Sequence, residues 1–389
     1  MPVKRRVCAA VRPGRIGAMH LALTLALLLA QDVDQQKVDA AIRKGVDYLR
    51  GQVGGLEKPM GASHGRSLEL VLWTFAHAGV PEDDEEFRKL HKTMMETDLE
   101  RTYNVSLQAM ILEEVDRVKY QWRIHQCAQF LADNQAKNGQ WGYGEPSLYV
   151  KDIPTETVRK DVATGGAKPV PKDKRGKPKV QKTLRVEKKK DGPDFGDNSN
   201  SQYAALGLRA CHDAGVLMPD KVLKAGEAHW RGAQKQGRGA RGWGYNAQPN
   251  EEPYGSMSAG AVGSLVIFLY MQRRDWTRDR DVADGMAWLA ENFTVEKNHK
   301  APATIASQML YYYLYALERA GILYGTETMG RHKWYPLGAN FLIKAQRDDG
   351  SWSATEPASS AVWDTCWAIL FLRRATRPLK DVATGDTKK

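Results

Sequence analysis

Cysteine is scarce in this chain: four residues in 389, Cys8, Cys127, Cys211 and Cys366, with no Cys-x-x-Cys pair among them. That spacing excludes a disulfide framework and a zinc knuckle. Cys127, Cys211 and Cys366 fall in apolar helical stretches and read as buried thiols. A run long enough to cross a bilayer is missing from the N-terminal region too. Its apolar stretch, Leu21–Ala30, is about half of the ~20 residues that a membrane span needs, so no transmembrane anchor is expected there. Acidic residues are absent from the first thirty positions. Aromatic residues are almost absent from 147–196, the most basic part of the chain, which excludes the interleaved stacking platform of a nucleic-acid binder.

The net charge of +11 is therefore not a property of the whole molecule. Lys4, Arg5, Arg6, Arg12 and Arg15 give the first thirty residues +5, and fourteen Lys/Arg against five Asp/Glu give 151–190 a further +9. Without these two segments the body is slightly acidic. Residues 1–30 read as an export signal, basic then apolar then polar at Gln31–Asp34, which implies a periplasmic or extracellular chain. A packed N-terminal helix is the alternative. The segment 147–196, rich in Lys, Pro and Gly, lacks the apolar residues to build a core and is expected to be disordered or extended. Such an arm has the charge to contact acidic polymers at the cell envelope, a contact that salt would weaken. The tail 377–389 has the same character.

What is present is helical periodicity. In 38–49, Val38, Ile42, Gly45, Val46 and Leu49 share one stripe, with charged residues largely opposite; comparable amphipathic helices start near Phe87, Tyr120, Asp220, Asp281 and Trp334. Between them lie segments that are small or apolar nearly all round: 201–211, 256–271, 303–317 and 361–372, with 67–78 and 103–115 more polar variants. A helix apolar on every face must be buried on every face. Six alternating pairs over 38–376 predict an all-α fold of two concentric layers, interrupted at 147–196. Glycines at Ala78-Gly79, Ala214-Gly215 and Ala320-Gly321 are expected to close three of the inner helices.

Two stretches share a tighter pattern. Phe130-Leu131, Gln135 and Gly139-Gln140-Trp141 have the spacing of Phe341-Leu342, Gln346 and Gly350-Ser351-Trp352, with looser copies at Trp230…Gln234…Gly242-Trp243 and Tyr48-Leu49…Gln52. The Gln amide is suited to bonding exposed groups at helix ends, the Trp to filling space between pairs, and the Gly to a sharp turn. This resembles the QW repeat of the squalene cyclase and protein prenyltransferase superfamily. The resemblance implies an α6/α6 toroid, two concentric rings of six helices, and makes Gln135, Gly139, Trp141, Trp243, Gln346, Gly350 and Trp352 structural.

The family's chemistry is harder to find in the chain. Cyclases of this group protonate an alkene from a D-x-D-D-T-A segment; Val362-Trp363-Asp364-Thr365-Cys366 keeps one acid, in the place of that segment's last Asp. Asp364 is either an acid raised by desolvation or a helix N-cap. Prenyltransferase β-subunits bind zinc through D-x-C and a later His, and no His follows Asp364-Thr365-Cys366. The C-G-E-Q of thioester rings is absent as well. No metal and no cofactor are expected.

Polar clusters open the inner helices: His64-Gly65-Arg66-Ser67, Tyr103-Asn104-Val105-Ser106, Asp197 to Tyr203, and Tyr254 to Ser258. If the inner helices run parallel, as in the family's rings, these clusters and their helix dipoles gather at one mouth. The candidate catalytic residues there are Asp364 and Asp197. The candidate ligand-binding residues are His64, Tyr103, Asn104, Asn200, Gln202, Tyr254, Trp363 and Trp367; plain helix capping is the competing reading of each. Intact scaffold motifs beside missing catalytic ones favour an exported ring that binds a ligand, hydrophobic or envelope-derived, or a partner at its central cavity without catalysis. The alternatives are an enzyme on prenyl or terpenoid substrates with an Asp general acid, and a carbohydrate-active toroid.

Overall fold

The alternation of half-apolar and wholly apolar segments becomes an alternation of outer and inner helices. A computed structural model describes residues 33–56, 58, 66–155, 172, 177–235, 239–246, 248, 251–354 and 360–379. The expected signal and His64 lie outside these. The outer helices are α1 (Gln35–Arg50), α3 (Glu85–Glu96), α5 (Gln121–Asp133), α7 (Asp220–Ala233), α9 (Arg280–Glu291) and α12 (Trp334–Ala345). The inner ones are α2 (Leu68–Ala78), α4 (Thr102–Asp116), α6 (Asn198–Asp213), α8 (Gly255–Met271), α11 (Leu310–Tyr324) and α13 (Ala361–Arg373), with a short α10 (Ala303–Gln308) before α11. The fold is all-α; two pairs of two-residue strands, Leu184–Arg185 with Val216–Leu217 and Thr328–Met329 with His332–Lys333, are its named sheet structure.

Burial follows composition at α1 and α8, whereas the outer helix α5, polar on one face, is buried over most of its length. Helix α1 buries the single stripe Val38, Ala41, Ile42, Gly45, Val46 and Leu49, whereas α8 buries every residue but Tyr270. Each inner helix packs on two others: α2 on α4, α4 on α6, α6 on α8, α8 on α11, α11 on α13, and α13 back on α2. The contacts close into a cycle. Outer helices lie on this cycle, α5 against α4 and α6, α7 and α9 against α8, and α1 against α13, α2 and α12. Asp34, Asp84 and Asp279 cap α1, α3 and α9 by accepting backbone N–H bonds. Two of these caps also receive an arginine from the preceding outer helix, Arg50 on Asp84 and Arg231 on Asp279.

The repeated motif has one geometry in three places. The Gln amide donates to a carbonyl of a neighbouring outer helix: Gln135 to Val222 at 2.9 Å, Gln234 to Asp281 at 2.8 Å and Gln346 to Ala41 at 2.8 Å. The indole N–H of Trp141, Trp243 and Trp352 donates to Leu131, Trp230 and Leu342, each four residues before its Gln. The backbone N–H of each Trp donates to a hydroxyl on the following inner helix, Ser201, Ser258 or Thr365. Gly139 and Gly350 have φ of +90° and +86°, and a Cβ there would stand 2.2 and 2.4 Å from the carbonyl oxygens of Ala225 and Lys44. Both conformation and contact demand glycine.

Three expectations need correction. The segment 303–317 is not one helix: it breaks at Met309, where the Ala306 carbonyl accepts a bond from the Asn298 N–H at 2.8 Å. Gly321 lies inside α11, which ends instead at Gly325 with φ 91°; Gly79 and Gly215 do follow their helices in the left-handed conformation. The start of the tail, with the residue before it, is held. Thr376 bonds Glu318 through N–H and hydroxyl, Arg377 pairs with Glu114, and Leu379 is buried. Within the insertion, 177–196 is extended, and it is strapped to the helices because polar groups on them take its backbone. Gln121 donates to the Lys182 carbonyl, Gln129 to that of Glu187, and Asp133 accepts the Lys189 N–H.

Candidate functional site

A cavity of about 280 Å³ lies where the inner helices begin. Every inner pair contributes to its wall: Arg66 and Leu70 at α2, Arg101 and Tyr103 at α4, Ser199 and Asn200 at α6, Tyr254, Ser256 and Met257 at α8. Ile305, Met309 and Tyr312 come from α10 and α11, Trp363 and Trp367 from α13, and Tyr143 and Tyr245 from the loops after Trp141 and Trp243. Five tyrosines and two tryptophans make the wall aromatic, and no Asp or Glu is among the described residues that line it.

Local structure explains why these side chains meet. The carbonyl of Tyr143 accepts the first amide of α4, from Thr102, at 2.8 Å; that of Tyr245 accepts the Asn198 N–H at 3.0 Å, and His299 accepts from Gly255 at 2.9 Å. The loops that follow Trp141 and Trp243 therefore cap the preceding inner helix, and each brings its own tyrosine to the mouth. The inner N-termini do converge, as expected. The first amide of each of α4, α6 and α8 is already bonded to a carbonyl, which takes one of the free N–H groups at each helix start.

Of the expected ligand residues, Tyr103, Asn200, Tyr254, Trp363 and Trp367 line the cavity. Asn104 and Gln202 stand behind the wall. Asn104 donates to the Arg66 carbonyl at 3.0 Å and to Glu69 at 2.5 Å, and Glu69 in turn pairs with Arg66 at 2.7 Å. Gln202 donates to the Tyr312 hydroxyl at 2.6 Å. Aromatic contacts knit the floor: Tyr103 stacks on Tyr203 at 3.7 Å, and Trp367 meets Tyr312 and Trp363 edge-on at 5.2 and 5.9 Å. Arg101, Tyr143, Tyr245 and Met309 were not anticipated. The repeated Trp-Gly-Tyr at 141–143 and 243–245 was the signal for the two tyrosines.

The two candidate acids sit outside the lining. Asp364 lies in the first turn of α13, whose N-cap is Ser360, and its Oδ2 accepts the Ala354 N–H at 2.9 Å. It neither caps the helix nor faces the cavity; it ties down the loop after Trp352. Asp197 caps α6, accepting from the Asn200 backbone at 2.7 Å and the Asn200 amide at 2.8 Å. Burial holds its carboxyl above the ordinary carboxylate range, opposed by the bonds from Asn200 and by the nearby Ser199 N–H and Tyr245 hydroxyl. Burial likewise pushes the phenols of Tyr103, Tyr245, Tyr254 and Tyr312 up, so all four are protonated donors at neutral pH. Among the described residues no group of three His, Cys, Asp or Glu gathers to hold a metal, and no helix is long and apolar enough to cross a membrane.

No protein-family model matches this chain, and no curated protein matches it. Among solved structures it is similar to a polysaccharide lyase, at 12% identity and a TM-score of 0.34, over 89% of this chain and 91% of that one. A likeness this loose carries no argument about chemistry, so function rests on the site.

Proposed function

We propose that this chain is an exported α/α toroid, related in its repeat to the QW-bearing rings, that binds a small and largely apolar ligand without turning it over. One observation carries the reading: a cavity walled by seven aromatic side chains, Leu70, Met257, Ile305 and Met309, with both candidate carboxylates engaged elsewhere. Its volume falls near the lower end of the ~300–1,000 Å³ usual for ligand pockets, and an apolar wall with a few polar groups suits a compact molecule. The test is binding of an anilinonaphthalene sulfonate dye to the mature chain, read by fluorescence and competed by 2-undecanone. Met257→Trp, which fills the cavity, is expected to weaken binding at least tenfold. Unchanged dye binding in that variant, or turnover of an added substrate that is lost in Asp364→Asn, would overturn the reading.

A second reading has one observation in its favour. Asp197, raised by burial, has the Tyr245 side chain close enough to influence its carboxyl, and Tyr245 lines the cavity. An enzyme on prenyl or other hydrophobic substrates would then take its acid from the Asp197–Tyr245 pair and not from Asp364. Its mark is activity that is lost in Tyr245→Phe and retained in Asp364→Asn.

A further inference from the structure

Arg319 is 2% exposed and, among the described residues, makes no ion pair. It lies over the rings of Tyr315 and Tyr203, at 4.2 and 5.4 Å from their centroids, and donates through Nη2 to Gln202 Oε1 at 2.8 Å. A guanidinium is a donor only, so the Gln202 amide has one permitted orientation: oxygen toward Arg319, nitrogen toward Tyr312. The amide lies on bare backbone of α8, where a Cβ on Gly260 would stand 2.3 Å from Oε1. Gln202 Nε2 then donates to Tyr312 Oη at 2.6 Å, and Tyr312 Oη lies 3.1 Å from Ser199 Oγ. Either hydroxyl of this contact can be the donor; with the Tyr312 oxygen already accepting from Gln202, the arrangement that uses each group once has Tyr312 give its proton to Ser199. In that arrangement Ser199 keeps its own O–H to give, and both Tyr312 and Ser199 line the cavity.

We infer that the chain Arg319–Gln202–Tyr312–Ser199 fixes the polarity of the cavity wall, so that Ser199 acts as an oriented hydrogen-bond donor selecting ligands that bear an acceptor oxygen at that point. Arg319, Gln202 and Tyr312 are positioning residues; Ser199 is the one that touches ligand. The inference rests on the cavity being a binding site and names the polar end of what it takes.

Gln202→Glu tests it by reversing the chain without changing its size. A carboxylate accepts from Arg319 and from Tyr312 alike, so Tyr312 would turn its proton away from Ser199, accept from Ser199 in turn, and leave only lone pairs facing the cavity. The probes are 2-undecanone, which only accepts, and 1-undecanol, which accepts and donates; both are neutral, so the added charge cancels in the ratio of their affinities. The ketone-to-alcohol ratio is expected to fall about tenfold in Gln202→Glu, while Ser199→Ala weakens both compounds and brings their affinities together. A ratio within about twofold of wild type, with both compounds still bound, would overturn the inference and leave the binding reading standing; failure of both to bind wild type would count against the binding reading instead. Neutron diffraction on the ligand-free protein locates the protons themselves: deuterium on the Ser199 side of Tyr312 supports the chain, and the Gln202 carbonyl facing Tyr312 refutes it.

Discussion

The side-chain amide of Gln346 donates to the carbonyl of Ala41 at 2.8 Å, across 305 residues of sequence. The same contact joins Gln135 to Val222 and Gln234 to Asp281 between nearby pairs. At Gln346 it joins the last outer helix to the first. Gly350, beside it, presses on the Lys44 carbonyl, and Trp352 fills the space left by the missing side chain of Gly45.

Gly350→Ala is accordingly expected to be among the costliest single methyl additions in the chain. It forces an L side chain to φ +86° and drives a Cβ to 2.4 Å from a backbone oxygen. The left-handed conformation alone costs about 1–2 kcal/mol, and the contact adds to it. Urea denaturation should show a midpoint shift larger than that of Gly232→Ala, where a Cβ would meet nothing within 4 Å. Equal shifts would mean that the closing contact is not under constraint.

Replacing the indole by a phenyl ring tests the equivalence of the three motif copies. Trp141→Phe, Trp243→Phe and Trp352→Phe each remove an N–H bond to a buried carbonyl, of 2.7, 2.7 and 2.9 Å, and leave a void beside it. Each should lose about 2–4 kcal/mol of unfolding free energy, and the three losses should agree within about 1 kcal/mol. A much smaller loss at Trp243, whose motif spacing is loosest, would show that spacing and not contact sets the role.

Stability should depend on pH through opposed groups. Burial raises Glu318 to about 7, against the bonds it accepts from Thr376, and lowers His77 and His229 to about 4. Glu318 binds its proton more tightly folded than unfolded, so its contribution is full below about 4.5 and falls away as pH rises to about 7. The histidines stay neutral when folded, so their contribution grows as pH rises from about 4 to 6.5. Denaturation profiles of Glu318→Gln should therefore rise more steeply than wild type between pH 4.5 and 7. Parallel profiles would show that Glu318 titrates normally.

The arginine clamp between outer helices is a smaller effect. Arg231 bonds the α9 cap Asp279 at 2.7 Å and Glu227 at 2.8 Å, with its side chain about a quarter exposed. Solvent screens part of the attraction, so Arg231→Met is expected to cost about 1 kcal/mol, halved again in 1 M salt. A loss above 3 kcal/mol would mean that the clamp organises α9 and does more than decorate its start.

Much of the architecture was legible because burial is written in composition. The stripe of α1 against the all-round apolarity of α8 distinguishes outer from inner without any tertiary information. The break at Met309 was not legible: it depends on Asn298, eight residues before Ala306, reaching that carbonyl, a contact that propensity does not record. The site was legible in part for the same reason. Tyr254 and Trp363 stand at helix starts and could be assigned to the mouth once the helices were taken as parallel. Tyr143 and Tyr245 stand in loops, and their direction follows from carbonyl bonds to Thr102 and Asn198 that no spacing rule supplies. Asp364 was misplaced because α13 is buried on several faces, and sequence cannot tell which buried face a carboxylate serves.

The closing contact between α12 and α1 also bears on connectivity. Because the first outer helix packs on the last pair as the others pack on their neighbours, the contact network has no preferred point of entry. A circularly permuted chain, opened at the exposed Glu82-Asp83 turn between α2 and α3 and joined by a linker long enough to reach from Leu379 to Val33, is expected to keep the interhelical contacts described above. Sequence order and spatial order are then separable in this protein, and the six pairs behave as segments of a loop whose numbering is a convention.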